Sequence, residues 1–380
     1  AVSSNLRALS AVLLIALSSV LGACTQASPT SGAAIPSGAP SAGSSESEWN
    51  KLVAAAKTEG KVVIAATNAQ GYEQAMKEFE TDYPGISVEY TPIAGRDFFP
   101  RLEREREAGQ YLWDVRVGGS DVTTFDLKKQ GGLDPVRPLL MLPEVTDDKA
   151  WLGGLSSLFQ DNEGQYVVAF AAYSEARAYV NRDLASAADL ESSSQLLDPR
   201  WKGKISLQDP RGGGGAAGLA MFLIDDGEQF VRDLLTKQNV VVTNDARQQA
   251  EWLARGTYPI GVGAATSFVH AFQQQGVGQN VKPLPSRLEW WTAGGGGLQV
   301  INKRPHPNAT TVFVNWLLTK KTQTRLGQLG SQNSARADVP PAVPEFALDS
   351  AHLDKYVELY LEKYLPQRIA SERLAQELLK

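Results

Sequence analysis

KGKISLQDPRGGGGAAGLA, residues 202 to 220, decides how the rest of the chain is read. Lys204-Ile205-Ser206-Leu207 alternates as a strand does, Pro210 ends it, and Ala216 to Ile224 is apolar and free of breakers. The glycines Gly212 to Gly215 therefore fall where a βα connection meets a helix N-terminus. Glycine lets a ligand approach the backbone, the first helical N–H groups have no intrahelical partner, and the macrodipole places about half a positive charge there. Arg211 adds a bidentate donor. Arg211, Gly212, Gly213 and Gly214 are thus candidate contacts for an anion, against the plainer reading of a flexible turn. The run also satisfies GxGxxG through Gly213, Gly215 and Gly218. A nucleotide is not expected, because a four-glycine run meets several such patterns by chance. The next acidic residue after a strand, Asp245, also lies about 30 residues on instead of ~20.

Working outward, the 380 residues are 43% hydrophobic and 21% charged with one cysteine, so two domains fit and disulfides do not hold them. A net charge of −5 without a basic block argues against nucleic acid. At the start, Arg7, the apolar run Ala8 to Val20 and Leu21-Gly22-Ala23-Cys24 read as an export signal, residues 1–24. Leu-Gly-Ala-Cys resembles the bacterial lipobox, which implies lipidation of Cys24 and a protein held on the outer face of a bacterial membrane. Residues 25–48 are rich in Ser, Ala, Gly and Pro and read as a disordered tether.

The folded part is expected from Trp49, with strands at Lys61–Ala66, Ile86–Tyr90 and Trp113–Val117 alternating with helices at Tyr72–Tyr83, Asp97–Ala108 and Val122–Gln130. That alternation predicts an α/β fold with a mostly parallel sheet, whose ligands gather at the strands' carboxyl ends. The loops there offer Thr67 and Asn68 after the first strand and Ser120 and Asp121 after the third. A second α/β set follows opposite them, in which Tyr258–Val262 leads through Ala264 to Ser267 into a helix. Thr266 and Ser267 are its candidates. Ser120 and Ser267 serve equally well as helix N-caps.

WKGKISLQDPRGGGG, ARGTYPIGVGAATS, KRPHPNATTVFVNWLLTKKTQ and NSARADVP occur in this order and resemble the substrate-binding lipoproteins of bacterial ABC importers, in the branch that includes ferric-ion-binding proteins. The resemblance covers roughly Lys61 to Pro341. It implies a periplasmic binding protein fold of type II: two α/β domains joined by crossing hinge strands, with a solute clamped between them. The implied division is residues 49–165 with 295–345 as the first domain, 166–294 as the second, and 346–380 as C-terminal helices. Tyr166–Val180 and Gly294–Asn302 are then the crossovers. Tyr173 sits in the first of them, and Trp290 and Trp291 precede the second, where either could contact a ligand. Trp252 and Trp316 lie on helical patterns and read as core.

The chain departs from ferric-binding members where these carry adjacent tyrosines: the segment here is Ala264-Ala-Thr-Ser-Phe268. The histidines are three, and no Cys/His spacing fits zinc. The expected cargo is therefore a small anionic or zwitterionic organic solute, with no metal and no cofactor. The alternatives are a ferric ion carried with a synergistic anion, or a ligand-binding module for a membrane sensor. An ABC permease is the implied partner and a monomer the expected state. An enzyme is not expected: GxSxG and HExxH are missing, and acidic pairs such as Asp225-Asp226 read as surface acidity.

Overall fold

The computed structural model describes residues 42–379 apart from Gln70 and Gly212, and, apart from the first residues of the opening helix, the elements below lie in the unit Glu46–Lys380. The signal segment with Cys24, the tether up to residue 41, and Gly212 fall outside the described residues. Helix α1 (Ala42–Glu59) begins before the expected Trp49, so the last tether residues are helical.

In the first lobe, β1 (Lys61–Ala66) pairs in parallel with β2 (Ser87–Pro92) on one side and β3 (Val115–Val117) on the other. Helices α2 (Tyr72–Asp82) and α3 (Gly95–Glu107) make the crossovers, and α4 (Val122–Lys129) follows β3. The apolar run of β1 is what a strand covered on both faces requires. Val62 and Ile64 join a cluster with Met76, Phe79 and Phe313, while Ala65 joins Phe98, Trp113 and Phe125. Each such fully buried large side chain contributes about 1.5–3 kcal/mol of transfer free energy.

After β4 (Leu133–Asp134) and the short α5 (Pro143–Thr146), the chain leaves through β5 (Val167–Ala169), β6 (Tyr173–Glu175) and β7 (Ala178–Asn181). The second lobe holds β8 (Ile205–Gln208), α6 (Gly213–Asp225), α7 (Glu228–Lys237), β9 (Val241–Thr243), α8 (Ala246–Arg255), β10 (Ile260–Val262), α9 (Thr266–Gln274) and β11 (Val281–Pro283). Its sheet order is β11-β7-β10-β8-β9, parallel among β8, β9 and β10. The chain returns through β12 (Glu289–Thr292) to β13 (Gly297–Ile301), which lies antiparallel beside β3 and takes β4 and β5 on its other edge. Helices α10 (Pro307–Leu317) and α11 (Lys320–Gly330) complete the first lobe.

The segment 346–380, expected as C-terminal helices, ends in α12 (Leu365–Leu378) but first contributes β14 (Tyr356–Glu358). Tyr-Val-Glu has the aromatic and β-branched character of a strand, and it adds to the open edge of β12. The result is a three-stranded sheet, β14-β12-β6, lying at the crossovers between the lobes.

Two glycines of the opening stretch are needed for packing. A Cβ on Gly215 would stand 2.2 Å from the Asp209 carbonyl oxygen, and one on Gly218 2.8 Å from the Gly263 Cα. Helix α6 is thereby pressed against the end of β8 and the loop after β10. Asp225 and Asp226 at its far end are not surface acidity: they flank the buried Arg177 at 3.0 and 2.9 Å, because a buried guanidinium needs carboxylate partners.

Candidate functional site

A cavity of about 620 Å³ opens at the carboxyl ends of β8 and β10 and is floored by the hinge sheet. From the second lobe it receives Gln208, Asp209 and Arg211 after β8, and Gly263 to Ala265 after β10. The hinge contributes Glu175 from β6 and Trp290 and Thr292 from β12; Arg96 on α3 and Tyr360, just after β14, close it.

Each helix N-terminus expected to await an anion already has an internal carboxylate or a packing role. Arg211 donates from Nε to Asp209 Oδ1 at 2.9 Å and from Nη2 to Oδ2 at 2.8 Å. These hydrogen bonds hold the Asp209 carboxyl below its usual range and raise the guanidinium. Gly213 and Gly214 form the first residues of α6. Thr266 is buried at the start of α9 and gives its hydroxyl hydrogen to Glu175 Oε2, while accepting from the Tyr179 hydroxyl at 2.8 Å. Burial pushes the Glu175 carboxyl up to about 7, although Thr266 donates to it from both hydroxyl and backbone. Ser267 is exposed on α9.

In the first lobe, Asp121 caps α4 by accepting the Thr124 N–H at 3.0 Å within a capping box. An ammonium anchor would have to displace that role. Ser120 is buried with its hydroxyl on Gln160 Oε1 at 2.7 Å. Arg116 lies buried beneath this loop, donating to the Ile93 carbonyl at 3.0 Å; burial lowers its guanidinium to about 10. Thr67 uses its N–H on the Val117 carbonyl at 2.8 Å, and Asn68 is exposed; neither lines the cavity. Tyr173 is partly buried on the β6 face shared with Glu175, beside Gly294, and burial raises its phenol strongly.

The tryptophans separate. Trp290 is buried and lines the cavity, stacked on Tyr360 with centroids 6.3 Å apart, and its indole N–H has no partner among the described residues. Trp291, its neighbour on a strand, faces the opposite side. Trp316 is buried as expected, whereas Trp252 is partly buried against Tyr258.

Glu175, Tyr360, Gln208 and Arg96 were not foreseen. A lone glutamate inside the crossover Tyr-Ser-Glu-Ala was a readable signal for the first. Tyr360 arrives from a distant segment, and nothing local marks it. Among the described residues no three His, Cys, Asp or Glu side chains gather closely enough to hold a metal ion.

Two α/β lobes, crossing strands and a cleft between them define a type II periplasmic binding protein fold. Residues 65–324 match the family described as bacterial extracellular solute-binding protein, and the chain belongs to that family. It is an extracytoplasmic solute-binding protein, a class whose partners are a small solute and an ABC permease. No curated protein sequence matches the chain. Among solved structures it is similar to iron-bound HitA from Pseudomonas aeruginosa, with a TM-score of 0.61 and 16% identity over 84% of this chain and 99% of that one. A Trichodesmium FutA in complex with iron and citrate gives 0.66 and 16%, over 84% and 99%. The periplasmic binding protein P5PA gives 0.60 and 20%, over 84% and 100%.

Proposed function

We propose that this chain binds a cargo bearing positive charge in the cavity of the cleft and delivers it to an ABC permease by closing its lobes. The ferric ion, carried with an accompanying anion, is the cargo best supported. The observation that carries this reading is the pairing of two oxygen donors, the Glu175 carboxyl and the Tyr360 phenol, on one cavity where Glu175 has no ion-pair partner among the described residues. Carboxylate and phenolate are hard ligands suited to a hard cation. The iron-bound neighbours support the same cargo over an organic anion, whose expected anchors are already engaged by Asp209, Glu175 and Asp121. Because the side chains supply few donors, the anion completes the coordination, and Arg96 stands at the rim to hold it.

A second reading, an organic amine or zwitterion, is favoured by the 620 Å³ of space and by the loop Ala264–Ser267, which lacks phenols. Titration with ferric citrate separates the two. The first expects a visible phenolate-to-iron band that Tyr360→Phe removes. No band, together with thermal stabilisation by an organic amine that Glu175→Gln abolishes, establishes the second in its place. Anchoring through Cys24 belongs to the same proposal: the mature protein incorporates labelled palmitate, and Cys24→Ala protein that still does so overturns it.

A further inference from the structure

The hinge sheet has a second occupied face. β12 pairs Trp290 with Glu175 and Val357, and Trp291 with Ser174 and Glu358. Since successive residues of a strand point to opposite faces, Trp290 serves the cleft while Trp291, Tyr356 and Glu358 line a separate cavity of about 370 Å³ behind it. Its far wall is Leu158, Phe159 and Ala172 of the first lobe.

Into this apolar space projects one carboxyl. Glu358 is 7% exposed; Gln160 donates from Nε2 to Oε1 at 2.9 Å, and Oε2 takes no hydrogen bond among the described residues. Two other buried charges are paired: Lys128 lies 2.6 Å from Glu362, and Arg177 3.0 Å from Asp225. Glu358 has no ion-pair partner among the described residues. A buried carboxylate is costly without a cation, and Lys363, which lines the same cavity, makes no ion pair with it among the described residues. The aromatic walls fit the same complement. Cations already lie over the rings of Tyr356 and Tyr364, from Lys355 and Lys363, whereas Trp291 has none among the described residues.

We infer that the cavity behind the hinge sheet is a second small-molecule site, for a protonated amine on a compact apolar body, with Glu358 as its ion-pair partner and Trp291 as its aromatic wall. The site is independent of the cargo in the cleft. An occupant would brace β12 and β14 from behind.

The probe pair is phenethylamine and its neutral counterpart 2-phenylethanol, titrated calorimetrically into the full chain at neutral pH. A charge-assisted contact to a buried carboxylate should favour the amine by roughly tenfold or more. Glu358→Gln should erase that preference, and Leu353→Trp, which fills the cavity from its lining, should abolish binding of both; Glu175→Gln, in the cleft, should leave the amine unaffected. Equal binding of the two probes overturns the proposal. So does amine binding that survives both Glu358→Gln and Leu353→Trp, or that disappears with Glu175→Gln.

Discussion

Arg211 and Asp209 close a two-bond fork on each other, Nε to Oδ1 at 2.9 Å and Nη2 to Oδ2 at 2.8 Å, at the mouth of the cleft. The one arginine that the glycine loop would aim at an anion is therefore already satisfied. An exposed pair of this kind contributes little. Arg211→Ala should change cargo affinity by no more than about threefold, while Asp209→Asn, by freeing the guanidinium, should raise affinity for small oxyanions such as citrate. Calorimetric titration of both variants checks this, and a large loss in Arg211→Ala would restore the anion anchor.

Acidity should stabilise the empty protein. Glu175 at about 7 and Glu358 at about 8 both titrate above the ordinary value of 4.5, so the folded chain holds protons that the unfolded chain gives up earlier. Their contribution is full below about 4.5 and is lost as pH rises through about 7 to 8. The unfolding midpoint should thus be higher near pH 5.5 than near pH 8.5 in differential scanning calorimetry, and Glu175→Gln should flatten part of that slope.

Gly215→Ala tests the packing of α6. With the Asp209 carbonyl oxygen 2.2 Å from the added carbon, the helix start must shift, at a cost of about 1–3 kcal/mol in urea unfolding. An unchanged midpoint would mean that the turn after β8 yields freely.

Arg177→Met removes the cation between Asp225 and Asp226. Asp225 is nearly buried, and breaking a buried pair from one side costs about 3 kcal/mol or more. Arg287, which also contacts Asp225 and is mostly exposed, should not substitute. The comparison of Arg177→Met with Arg287→Met by urea unfolding decides it, the first being much the more damaging.

The α/β alternation was legible because β1 is apolar on both faces and because Pro84-Gly85 and Gly256 close their helices where a reader looks for them. Segment Val122–Lys129 falls within a residue of expectation. The site was less legible. Thr266 and Asp121 have residue types that suit a ligand and a helix cap alike; the fold brings Glu175 to the first, while a local capping box with Thr124 takes up the second. Trp290 and Trp291 look like one aromatic patch, yet strand geometry sends them to different cavities. Tyr360 and Glu358 lie in a tail with helical composition, and their place at the hinge depends on the edge that β12 leaves open.

The position of β13 sets an order on folding. All five of its residues are buried, and it stands between β3 on one side and β4 with β5 on the other. During synthesis the first lobe must therefore wait, with its sheet split, until the whole intervening lobe has been made. The sheet of the second lobe has no such debt, since its strands β7 to β11 are contiguous in the chain, although α12, which puts Leu374 and Ala375 into that lobe's core, is made last. Long-range pairing of this kind is slow. The rate of reaching the native state should accordingly follow the docking of β13, with a formed second-lobe sheet and an unfinished first lobe as the species exposed to proteases and to aggregation in the interval.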